Sequence, residues 1–154
     1  MLGSMGPDAG SEIASGLQVL SDAESTELLL RHHLGRIAFA HENWPVVLPV
    51  NYAFADPNLV VRTAPGAKLQ SVPFHAVAFE VDDADPHGGW GWSVLVQGPA
   101  FDITEADDDR SRELRGSLGH PAAPGEHNHW LVISAVRLSG RYFGRHPLRG
   151  ETPR

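Results

Sequence analysis

The chain has 154 residues, a formal net charge of −7 and no cysteine. Its length suits one domain, and the missing thiols exclude disulfide scaffolds, thiolate metal sites and cysteine nucleophiles. The acidic balance argues against non-specific nucleic-acid binding. No apolar run reaches the roughly 20 residues that span a bilayer, and no basic region with an apolar stretch marks a signal peptide, so the expected location is cytoplasmic.

Residues 1–16 are rich in Gly and Ser without periodicity and read as a disordered tail ahead of one domain over 17–145. Ser21 and Glu24 carry the S-x-x-E spacing of a capping box, which predicts a helix start. Leu28, Leu29 and Leu30 supply its apolar side, and Gly35 is positioned to end it. The period then changes. Arg36–Ala40 and Trp44–Phe54 read as strands, the second interrupted by Pro45 and Pro49, which favours an edge, a bulge or a strand end. Asp56-Pro57-Asn58 is turn chemistry before Leu59–Thr63.

Ala67–Val72 reads as one or two helical turns, Val77–Val81 as a strand, and Asp82–Gly89 as an acidic loop. Trp90–Ile103 forms a long strand with a bend at Pro99, and Thr104 and Asp107 can cap a polar helix over about 105–117. A Pro/Gly/His-rich loop precedes the last strands, His129–Phe143. Six or seven strands in succession with two or three helices favour an antiparallel barrel or sandwich, mainly β.

Charge is uneven. Residues 1–136 hold 7 basic and 18 acidic residues, net −11, whereas 137–154 hold five Arg and one Glu, net +4. The segment 146–154 therefore reads as a basic, solvated tail.

Histidines are numerous, yet Glu126-His127-x-His129 has no third ligand at a recognisable spacing, so no metal site is expected. His32 and His33 sit at the helix end, where the dipole favours them. Ser93 lacks a nucleophile elbow, and Asp82-Asp83-x-Asp85 lacks the glycine and glutamate of a calcium loop. No catalytic residue is identified. The sharper pattern is Arg62-Thr63-Ala64-Pro65-Gly66-Ala67-Lys68, which contains the chain's single lysine. A strand end, a Pro-Gly turn and a short helical segment would bring guanidinium, hydroxyl, ammonium and backbone amides together, as a phosphate requires.

Four blocks then occur in order: Pro45–Tyr52, Val61–Leu69, Val77–Asp82 and Gly91–Gly98. In them the chain resembles the pyridoxamine 5′-phosphate oxidase-like flavin-binding family, in its actinobacterial branch, over about residues 20–143. The resemblance implies a six-stranded antiparallel split β-barrel with short flanking helices, paired as a homodimer with FMN at the subunit interface. It implies that Arg62, Thr63 and Lys68 hold the phosphate and that Pro49, Val50 and Asn51 line the isoalloxazine ring. It places Trp92 and Ser93 near the flavin or offers them from the partner subunit, with Trp130 a weaker stacking candidate.

The implied activity is flavin-dependent oxidoreduction of a small molecule. The deazaflavin F420, helped by Arg137, Arg141 and Arg145, and a non-catalytic flavin- or haem-binding role are the alternatives. The tail Arg141-Tyr142-Phe143-Gly144-Arg145-His146-Pro147 departs from the substrate motif of true pyridoxamine phosphate oxidases, which argues against vitamin B6 oxidation.

Overall fold

The computed structural model describes residues 16–63, 72, 76–118 and 129–149. Lys68, the 67–72 segment apart from Val72, Glu126 and His127 lie outside the described residues. The elements are β1 (Gln18–Leu20), α1 (Asp22–Arg31), β2 (Leu34–His41), β3 (Trp44–Ala55), β4 (Asn58–Thr63), β5 (Ala76–Asp85), β6 (Trp90–Asp102), α2 (Asp109–Ser117), β7 (His129–Ser134) and β8 (Arg137–Phe143).

All described pairings are antiparallel, in the order β1-β8-β6-β5-β2-β3-β4-β7. A further β6–β7 pairing joins six of these strands into a hydrogen-bonded ring, and β8 and β1 extend outward from β6. The ring closes because one edge of β6 changes partner. Gly91 to Gln97 pair with β8, while Ala100 to Asp102 pair with β7. Gly98 and Pro99 occupy the changeover. A Cβ on Gly98 would stand 1.7 Å from the Ser134 carbonyl oxygen, so only glycine lets the strands approach this closely.

β3 explains its own prolines. Its first half pairs only with β2, and its last residues, Tyr52–Ala55, pair with β4. The Tyr52 amide donates to the His33 carbonyl (2.9 Å), so the even-numbered residues direct their backbone groups at β2 and the odd-numbered ones away. Pro45 and Pro49 are odd-numbered and remove no donor from the β2 ladder.

The main core draws Ile37, Tyr52, Phe79, Val94, Leu131 and Ile133 from five strands, with Leu28 and Leu29 of α1. Each such side chain contributes about 1.5–3 kcal/mol on burial. Tyr52 meets Phe79 edge-on at 5.0 Å and donates its hydroxyl to the Leu29 carbonyl at 2.8 Å. That bond seats the C-terminal end of α1 on the ring. A second, smaller cluster of Val60, Ile103, Leu114 and Val132 packs beneath α2.

The capping box at Ser21 and Glu24 is present in both directions. Gly35, in contrast, does not end α1. The helix stops at Arg31 with His32 as its C-cap, and Gly35 lies in β2 under the Phe79 ring, 2.5 Å from where a Cβ would stand. The second helix is capped by Asp108, which accepts from the Ser111 amide at 2.9 Å, rather than by Thr104 or Asp107. The acidic residues 82–85 are strand rather than loop, because they continue the β5–β6 ladder to Asp85↔Trp90. Asp82 and Glu80 both contact Arg36 across the sheet.

Residues 144–149 fold back onto the ring. Arg145 lies over Trp90 (4.7 Å), and His146 meets the Tyr142 ring at 4.6 Å. His146 Nε2 and the Arg149 guanidinium reach Glu24 Oε1 at 3.2 and 3.1 Å. The Ser21 backbone and hydroxyl hydrogen bonds come first among the groups that hold the Glu24 carboxyl at about 2, and Arg149 and His146 assist. A depressed carboxylate stabilises the fold above its unfolded value and loses that contribution as pH falls through the folded one. The wild-type advantage over Glu24→Gln, measured by urea unfolding, is therefore expected to shrink progressively as pH falls from about 5 toward 2. An advantage unchanged at acid pH would contradict this assignment.

Candidate functional site

β3 and β4 part company at one point. Tyr52↔Val61 is the last rung between them; beyond it β3 runs back along β2 through Asn51, Val50 and Pro49. β4 continues along β7 through Arg62 and Thr63. The two strands thus form a fork, with Asn51 and Arg62 each one residue past the final rung. Five of the sequence-predicted residues meet there. Pro49 and Asn51 are exposed, Val50 is buried beneath them, and Arg62 and Thr63 are half-buried. The chain leaves the fork directly into the segment that contains Lys68.

On the β4–β7 side of the fork, Arg62 pairs with Trp130 and Thr63 with His129. Side-chain alternation puts Arg62 and Trp130 on the face that bears Val60 and Val132, and Thr63 and His129 on the face of Val61 and Leu131. The Arg62 guanidinium carbon lies 4.9 Å from the Trp130 ring centroid. The two side chains of the predicted phosphate strand therefore point to opposite faces of the sheet.

A polar clasp fixes this end of β7. The Thr104 amide donates to Asp102 Oδ1 (2.8 Å), and Thr104 Oγ1 accepts from the Trp130 amide (2.9 Å). Thr104 Oγ1 also contacts His129 Nδ1 at 3.2 Å. Nε2 stands 3.5 Å from Asp102 Oδ2, too long for a hydrogen bond but well placed for charge attraction. Burial opposes the Asp102 charge, but hydrogen bonding from Thr104 and the field of His129 outweigh it and hold the carboxyl below its ordinary value. Sequence reading assigned Thr104 to a helix cap. Its link to His129 depends on β6–β7 pairing, which no local signal carries.

Trp92 and Ser93 lie on β6, across the ring from β3, and Trp92 shares the interior core cluster with Val50, Tyr52 and Val61. Trp92 is buried, its ring 4.8 Å from that of His32, whereas Ser93 is half-buried beside a cavity of about 310 Å³ shared with Asp82, Arg141 and Tyr142. Arg137 borders a separate groove of about 440 Å³ with Gln97, Pro99 and Val136. That groove is larger, but its lining offers one cation and one amide on an otherwise apolar surface, and nothing suited to a phosphate beyond Arg137. Among the described residues, no group of three or more His, Cys, Asp or Glu side chains could hold a metal ion.

The family model described as pyridoxamine 5′-phosphate oxidase matches residues 21–142. The chain belongs to this family. The match spans α1 through all but the last residue of β8, so it includes the ring and both sides of the fork.

Within the family, an uncharacterized protein of Mycobacterium tuberculosis is 32% identical over 106 residues, covering 64% of this chain and 69% of that one. The structure of an FAD-binding protein from Mycobacterium smegmatis is 32% identical with a TM-score of 0.69, covering 81% of this chain and 97% of that one. A conserved protein of unknown function from Corynebacterium diphtheriae is 25% identical with a TM-score of 0.69, over 84% and 99% of the two chains. Flavin binding is thus a property found within the family, in a relative of the same fold. No described helix is long and apolar enough to cross a membrane.

Proposed function

We propose that the protein binds FMN at the β3–β4 fork and uses it to oxidise or reduce a small molecule. The observation that carries this reading is the meeting of Pro49–Asn51 with Arg62 and Thr63 where the two strands separate. The donor set suits the ligand. Arg62 offers a charged fork for a phosphate, Lys68 follows six residues later in sequence, and the edge of β3 offers backbone groups and the Asn51 amide to a planar polar ring. When bound, a flavin supplies the hydride or electron chemistry itself, and the protein supplies position and polarity.

A second copy completes the proposal. Exposed Leu34 pairs with Asn51 at the fork, and exposed Val47 lies on the same face further along β3, which leaves apolar surface that supports pairing through this side. Such pairing would also be the route by which Ser93 approaches the cofactor.

FAD is a second reading, favoured by the 32% identical Mycobacterium smegmatis protein that binds it. The F420 alternative finds less support. Arg137 and Arg141 lie on β8, which extends outward from the ring at β6, and Arg145 lies over Trp90.

The visible spectrum of the purified protein, with the mass of any ligand released on denaturation, tests the proposal. Flavin bands and the mass of FMN are expected, and the mass of FAD would move the assignment to the second reading. A Soret band, or colourless protein that takes up neither flavin, would sink both.

A further inference from the structure

Trp130 was a candidate for stacking on the flavin ring, but its position gives it a different task. Cross-strand pairing puts its side chain beside that of Arg62, whose guanidinium lies over the indole at 4.9 Å, within cation–π range. The tryptophan is itself firmly seated. Its amide donates to Thr104 Oγ1 at 2.9 Å, its carbonyl accepts from the Ile103 amide at 3.0 Å, and its ring packs against the cluster beneath α2. An arginine side chain is long and loses rotamer freedom when it grips an anion. One already laid on a fixed ring has less to lose, which is the physical content of pre-organisation.

We infer that Trp130 is a positioning residue that holds the Arg62 guanidinium ready for the flavin phosphate without touching the flavin. This rests on the proposed phosphate role of Arg62 and adds to it the residue through which that role is set. Thr104 supports the arrangement from behind, since its hydroxyl fixes the backbone of Trp130 and the ring of His129 together.

The test compares FMN with riboflavin, which has the same ring and no phosphate. Equilibrium fluorescence titrations of the full chain would be run on wild type, Trp130→Leu, Arg62→Ala and the double variant. Trp130→Leu is expected to weaken FMN binding roughly fivefold to thirtyfold and to leave riboflavin binding unchanged. In the Arg62→Ala background it should cost nothing further, because the two residues act as one unit. Trp130→Phe keeps a stacked ring and should show a smaller loss, again confined to FMN, so the comparison stands even where the leucine variant does not fold.

Equal losses for FMN and riboflavin in either variant, or a full loss persisting without Arg62, would overturn the inference and reduce Trp130 to a packing residue. Wild-type protein that binds riboflavin as tightly as FMN would remove the phosphate role of Arg62, and the inference with it. Wild-type protein that binds neither would instead overturn the flavin reading.

Discussion

Gly98→Ala is expected to lower the thermal midpoint by roughly 10 °C or to abolish soluble expression. The added methyl would stand 1.7 Å from the Ser134 carbonyl oxygen, 2.9 Å from its carbon and 3.2 Å from the Val136 nitrogen. These are backbone atoms, so no side-chain rotation relieves the overlap, and the cost lies at or above the upper end of the usual 1–3 kcal/mol for overpacking, about 3 kcal/mol. For a chain of this size each kcal/mol is worth about 2–4 °C. The strain falls where β6 exchanges β8 for β7, the contact that closes the ring. Gly116→Ala is the matching control: a Cβ there meets nothing within 4 Å, and it sits in the last turn of α2. That change is expected to be neutral or stabilising by up to about 1 kcal/mol. Similar thermal midpoints for the two variants would show that the seam is not packed as described.

Arg62→Ala is expected to weaken FMN binding about tenfold to a hundredfold, since a hydrogen bond to a charged group contributes on the order of 1.5–3 kcal/mol. Lys68→Ala is expected to have an effect of the same size. Fluorescence titration at two ionic strengths checks both, because charge-assisted contacts in a half-exposed site weaken with salt. Unchanged affinity in the lysine variant would place the phosphate site away from the Pro-Gly turn. Unchanged affinity in the arginine variant would remove the fork from consideration altogether.

How much of this was legible in the sequence depended on the range of the interaction responsible. The Ser21–Glu24 box could be read directly, because both partners lie within one helical turn. Gly35 was misassigned because its role is set by Phe79, a contact made only when β5 pairs with β2. The aspartates after Val81 looked like loop chemistry, yet the β6 ladder and the Arg36 contact keep Asp82 in the strand. The prolines of β3 were read as signs of an edge, a bulge or a strand end, and the backbone register shows that both lie where β3 pairs only with β2 and point away from it.

The candidate site divides in the same way. Arg62 and Thr63 were readable as local chemistry, the Pro49–Asn51 stretch came only from the family resemblance, and their placement at the fork follows from the β3–β4 turn and pairing. The contact of Trp130 with Arg62 and the Asp102–Thr104–His129 clasp were not readable, because they arise from the register of β7 against β4 and from its closure onto β6. Trp92, drawn into the site only by the family resemblance, packs its ring against His32 at the end of α1 and lines the cavity of about 310 Å³ beside Ser93, a placement set by the strand pairings of β6.

Hydrogen–deuterium exchange, followed with and without saturating FMN, tests the location of the site most directly. Protection is expected at Val50–Asn51 of β3, at Val61–Thr63 of β4 and at His129–Leu131 of β7, with the groove between Gln97 and Arg137 unaffected. Protection confined to that groove, or none at any of these segments when FMN is bound, would contradict a flavin site at the β3–β4 fork.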